Sequence, residues 1–151
     1  MANIKVSELP TATHFDDDDY VMIVQSNTNK KITKENMYGN YKYSTTETVI
    51  GSWIDDKPIY RKVIYIGFLP NSGSLETSHN IQNLDKIINI HGVAIRSSDK
   101  DTLPIPYSTV NPTNAGAIMM YANETKVSIG TGADRTSYEA YVTLEYTKTT
   151  D

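Results

Sequence analysis

The sequence runs to 151 residues with 14 Lys and Arg against 18 Asp and Glu, a net charge of -4, and it contains no cysteine. This length suits one domain carrying a short accessory segment; the acidic balance disfavours nucleic acid, whose phosphates need a clustered positive face, and the missing thiols exclude disulfides, a thiolate nucleophile and sulfur-ligated zinc. Apolar residues reach 38% even with the 11 Tyr counted, Thr and Ile are the commonest residues, and Ala and Leu are scarce, a bias toward side chains that suit a pleated, half-buried surface.

Residues 1–40 read as the accessory segment. Ile4, Val6 and Leu9-Pro10 form a short extended stretch, Thr11 to Asp19 a polar, acidic turn, and Tyr20-Val-Met-Ile-Val-Gln25 a compact strand. Asn27-Thr-Asn29 turns the chain into a returning strand at Lys30-Lys31-Ile32, and Thr33 is then placed to N-cap a short helix through Lys34 to Tyr38 that Gly39 stops. A hairpin and a turn or two of helix cannot hold a core alone, so this segment is expected to fold against a partner surface or the main domain.

From Tyr41 onward the pattern is strands and turns. Val49 to Ile54 is short and apolar, Asp55-Asp-Lys-Pro58 turns, and Ile59 to Leu69 is the longest strand candidate. Its second half is apolar in both alternating sets, Val63, Tyr65 and Leu69 on one face and Ile64, Ile66 and Phe68 on the other, so both faces should be covered. Pro70-Asn-Ser-Gly73 turns, and Ile87, Ile88, Ile90, Val93 and Ile95 mark a further β region that Gly92 is expected to break with a bulge or bend. Ser97 to Thr102 is a loop tip. Leu103-Pro-Ile-Pro106 belongs at an edge or in a connection, since proline lacks the N–H that a ladder requires.

Ala117 to Ala122 and Val127 to Ile129 form a hairpin about Asn123 to Lys126, with Gly130-Thr-Gly132 as the loop beyond it. The last strand alternates Tyr138, Ala140, Val142, Leu144 and Tyr146 against Glu139, Tyr141, Thr143 and Glu145, one set for the core and the other for solvent or a neighbour. The fold expected is mainly β, a hairpin-plus-short-helix segment over 1–40 followed by a β-sandwich or jelly-roll-like domain over 41–151. A thin core is completed by burial against further copies, and Tyr supplies large area at little entropic cost, so a homo-oligomer is expected.

No catalytic, cofactor or metal constellation stands out. His14, His79 and His91 are dispersed without helical spacing, and no Ser sits in a Gly-x-Ser-x-Gly elbow. Asp16 to Asp19 lack the alternate spacing of a calcium loop, so a solvated acidic turn is the simpler reading. The start of the chain has no apolar h-region and no run is long enough to span a bilayer, which argues against a Sec signal or membrane anchor. Among the aromatics, Trp53, Tyr60, Tyr107 and Tyr141 are the candidates for glycan stacking or subunit contact, with packing favoured over sugar binding.

Ile4-Lys-Val-Ser-Glu-Leu-Pro10, the acidic turn, Tyr20-Val-Met-Ile-Val-Gln25 and Lys31-Ile-Thr33 resemble the N-terminal segment of phage tail- and head-fibre proteins, which is associated with attachment to the particle. Tyr43-Ser-Thr-Thr-Glu47, Ile50-Gly-Ser-Trp-Ile-Asp-Asp-Lys-Pro-Ile-Tyr-Arg-Lys62 and the ending Thr143-Leu-Glu-Tyr-Thr-Lys-Thr-Thr-Asp151 are similar to a module at the C-terminus of phage fibre and tail proteins, which carries Gly where this chain has Asp56. The resemblance implies a virion component, often trimeric, on head or tail, with no enzyme activity expected. Ile4, Val6, Leu9, Tyr20, Val21 and Ile23 then become the expected docking residues, with capsid or tail proteins as partners and a host surface glycan as the alternative.

Overall fold

The computed structural model describes residues 19–26, 28–33, 42–108 and 116–150. The chain divides into two compact units, residues 1–41 and 42–151. All regular structure among the described residues is β. The first unit contributes one antiparallel hairpin, β1 (Tyr20–Gln25) and β2 (Thr28–Thr33). Gln25 pairs directly with Thr28, so the turn is tighter than Asn27-Thr-Asn29 suggested, and Ser26 within it takes φ 53. Thr33 pairs with Tyr20 as the last residue of β2; the helix expected after it at Lys34 to Tyr38 lies outside the described residues.

The second unit holds two antiparallel sheets. One has five strands in the order β3 (Thr48–Ser52), β4 (Pro58–Phe68), β10 (Tyr138–Lys148), β6 (Leu84–Arg96) and β7 (Thr102–Ile105). The other has three, β5 (Ser74–Ser78), β9 (Lys126–Thr131) and β8 (Ile118–Ala122). Their inner faces share one apolar cluster: Ile64, Ile66, Ala94, Ile105 and the even-numbered residues of β10 from one sheet, Ile118, Val127 and Ile129 from the other. Tyr138, Ala140, Val142, Leu144 and Tyr146 are all buried, as their alternation requires. The proline-bearing β7 is an edge strand, where a missing N–H costs no ladder bond. The turn before β4 has Asp56 at φ 63, a left-handed position that glycine would occupy without strain.

Three sequence expectations change, and one strand comes unforeseen. Ile66 is skipped in the register, Tyr141 pairing with Tyr65 and Ala140 with Gly67, and Gly67 takes φ 88. This bulge reverses the alternation, sending Leu69 into the core and Phe68 to the outside, so the two faces of β4 are not the continuous sets expected. Gly92 does not break β6, whose register shifts fall instead near Ile87 and Lys86; a Cβ at Gly92 would lie 2.7 Å from the Tyr141 carbonyl oxygen, so glycine serves close strand approach here. Gly130 and Thr131 continue β9 and do not form a loop. Finally, β5 carries one large apolar residue, Leu75, too weak a pattern to reveal the strand from sequence.

Candidate functional site

The odd-numbered residues of β10 point away from the core, and the register places a row of neighbours beside each. Glu145 lies between Arg61 and Asn89, Thr143 between Val63 and His91, Tyr141 between Tyr65 and Val93, and Glu139 between Phe68 and Ile95. The result is a face of four rows across β4, β10 and β6. Tyr43 joins it, held beside β4 where the Val63 N–H donates to the Ser44 carbonyl at 2.8 Å. Between the middle rows lies a shallow hollow of about 410 Å³.

The face is apolar and aromatic along most of its length. Tyr65 remains 49% exposed, Phe68 57% and Tyr43 61%, although large apolar side chains grouped on one surface of a monomer are uncommon outside contact sites. The Tyr65 and Tyr141 rings are 5.2 Å apart and tilted by 44°, a contact geometry that aromatic quadrupoles favour over a parallel sandwich. Burial and the negative charge of Glu139 push the Tyr141 hydroxyl above the usual range, so it stays a neutral donor at physiological pH.

At one end charge is paired, while Glu139 stands at the other. Arg61 donates from Nε at 3.0 Å and Nη2 at 2.7 Å to Glu145 Oε1, while Asn89 donates to Oε2 at 3.1 Å. The Arg61 guanidinium also lies 4.9 Å from the Tyr43 ring centre, a cation–π distance. Burial pushes the Glu145 carboxyl upward, but hydrogen bonds from Arg61 and Asn89 with the Arg61 charge outweigh it and leave Glu145 below the usual carboxylate range. Such a surface can bury apolar area, stack rings and pair hydrogen bonds.

The candidates picked from sequence are not brought together. Tyr141 sits in the centre of the outer face, but Tyr60 stacks on Tyr146 at 5.9 Å, the Trp53 backbone closes the β3–β4 turn through Asp56 and Lys57, and Tyr107 pairs with Ile118 beside β8. Tyr43, Tyr65, Val63 and Val93 are the partners Tyr141 actually has. Of the expected docking residues, Tyr20, Val21 and Ile23 are exposed on β1, with Lys31 Nζ 5.7 Å from the Tyr20 ring centre; Ile4, Val6 and Leu9 lie outside the described residues, as do His14 and Asp16 to Asp18. His91 is on the outer face, whereas His79 is buried, its Nδ1 accepting the Ile81 N–H at 3.1 Å and its Nε2 3.1 Å from the Asn123 carbonyl.

Among the described residues no group of three or more His, Asp or Glu is placed to hold a metal ion, and no helix is long and apolar enough to cross a membrane. Comparison with known protein families, curated proteins and solved structures finds no match.

Proposed function

We propose that this chain is a structural subunit of a phage virion, a fibre or decoration protein on head or tail that acts by binding and not by catalysis. In this reading residues 1–40 dock to capsid or tail proteins, and the remainder is a sandwich-like domain that oligomerises, as a trimer, and projects from the particle. The observation that carries the reading is the outer face of the five-stranded sheet, a largely apolar surface on which Arg61 and Glu145 pair with each other and Glu139 stands at the far end, fitted to contact. The exposed Tyr20, Val21 and Ile23 of the hairpin agree with a docking role for the first unit, and the two phage resemblances supply the setting.

A second reading is a carbohydrate-binding adhesin, favoured by the Tyr65–Tyr141 pair with Thr143, His91 and Asn89 around it, rings for stacking beside polar groups for hydroxyls. Complementation of a deletion phage tests the main reading. The full chain should be recovered in purified particles, and a chain lacking residues 1–40 should fold yet be absent from them. Particles that assemble without the full chain bound would refute it.

A further inference from the structure

Among the described residues no second sheet lies over the outer face of β4, β10 and β6, although Thr143 in its rows is buried, while the inner face of the same strands is closed by the three-stranded sheet. Resting on the reading above, we infer that this outer face is where copies of the chain meet, Tyr65, Tyr141, Phe68 and Val93 of one copy packing against a second copy. Three features favour a copy of the chain over a sugar or an unrelated protein.

Extent is the first. Neighbouring strands about 4.8 Å apart and alternate residues about 6.7 Å apart give four rows on three strands a footprint of roughly 14 by 27 Å, on the order of 400 Å². With Tyr43 and the relief of the side chains added, this comes within reach of the roughly 600 Å² per partner at which specific protein interfaces begin, and it exceeds what one or two sugar rings cover. Charge is the second. A surface that meets its own copy must not bring like charges together, and here Arg61 and Glu145 neutralise each other within the chain at 2.7 Å, leaving Glu139 at the far end as the remaining carboxylate in the rows. The third is the thin core. With 38% apolar residues, a chain that leaves Tyr65 49% and Phe68 57% exposed has put much of its scarce apolar area on one outer surface, where self-burial is the available gain.

The test uses the full chain. Light scattering over a micromolar dilution series should give a multiple of 16.9 kDa. Tyr65→Glu and Val93→Glu should each reduce it to the single-chain mass with the circular dichroism spectrum kept, and Tyr65→Ala should weaken it in the same direction should the charged variants precipitate. Met119→Glu with Tyr121→Glu, more exposed than Tyr65 and Val93 but on the outer side of β8, should leave the mass unchanged. An oligomer indifferent to the β4–β6 variants, or dissolved by the β8 control, overturns the inference; if it still loads onto particles, the proposed function stands. A wild-type monomer that binds a glycan array and loses that binding with Tyr65→Glu overturns it in favour of sugar. Dissociation by the face variants in a protein never found on particles keeps the inference and removes the virion role.

Discussion

Gly92→Ala is the sharpest test of the sheet geometry on which the outer face depends. Gly92 sits where β6 crosses between Val142 of β10 and Ile105 of β7. An added methyl group would lie 2.7 Å from the Tyr141 carbonyl oxygen, 3.3 Å from Val142 Cγ2 and 3.5 Å from Ile105 Cβ. The first contact is with backbone, which cannot rotate away, so β6 and β10 must separate at the centre of the sheet. Overpacking of this kind costs about 1–3 kcal/mol, offset by up to about 1 kcal/mol because alanine restricts the unfolded chain more than glycine. A net loss of about 1–2 kcal/mol with a urea slope of about 1–2 kcal/mol/M moves the unfolding midpoint down by roughly 1 M. The measurement is urea unfolding at one fixed protein concentration, since association itself adds stability. Gly51→Ala is the control: nothing lies within 4 Å of a Cβ there, and its midpoint should stay put or rise slightly. A Gly92→Ala midpoint equal to wild type would refute the close approach of the two strands.

Gly67→Ala meets no atom within 4 Å but imposes φ 88 on a residue with a side chain, so its melting temperature should fall by the equivalent of about 1–2 kcal/mol; an unchanged value would deny the bulge. His79→Ala leaves the Ile81 N–H and the Asn123 carbonyl without their side-chain partner in a buried site and should cost about 2–4 kcal/mol in chemical denaturation, with a neutral result placing His79 in solvent. Tyr146→Phe removes the hydroxyl that donates to Glu47 and should cost about 1–2 kcal/mol, while the Lys148–Glu47 pair survives and limits the loss. Glu76, Asp85, Asp99, Asp134 and Glu145 all have folded pKa values lowered by their partners, so the stability they contribute is full above the unfolded carboxylate range near 4 and is lost as pH falls through the folded values. Thermal melts should therefore be flat with respect to these groups from pH 7 to about 5 and decline below about 4; melts that improve on acidification would reverse the sign.

Strand positions were readable where one face alone is apolar. In β10, Tyr138, Ala140, Val142, Leu144 and Tyr146 alternate against polar partners and all five are buried, although Thr143 and Thr147 of the opposite set are buried as well. The edge placement of β7 followed from Pro104 alone, because a missing donor is a local fact. What the sequence hid were non-local events. The close pass of β6 over the Tyr141 carbonyl made Gly92 look like a break, and only the neighbouring strand reveals why a side chain is refused there. Leu75 depends on β9 for its burial, so Ser-Leu-Glu-Thr-Ser gives no strand signal by itself.

The same limit explains why the site residues chosen from composition scattered. Aromatic type says that a side chain carries large area but not which face carries it, and Tyr60 and Tyr141 sit on opposite sides of one sheet: the first stacks on buried Tyr146 and the second faces outward beside Tyr65. Parity along β4 separates Tyr60 from Tyr65 and reverses only beyond them, at Gly67. That reversal bears on the outer face directly. It brings Phe68 outward into the row of Glu139 and Ile95 while Leu69 turns into the core, so one unpaired residue both closes the core at the end of β4 and extends the exposed apolar rows by one. Local strand preference would be served equally by a regular ladder; with the bulge Leu69 gains full burial while Phe68 is left 57% exposed on the outer face.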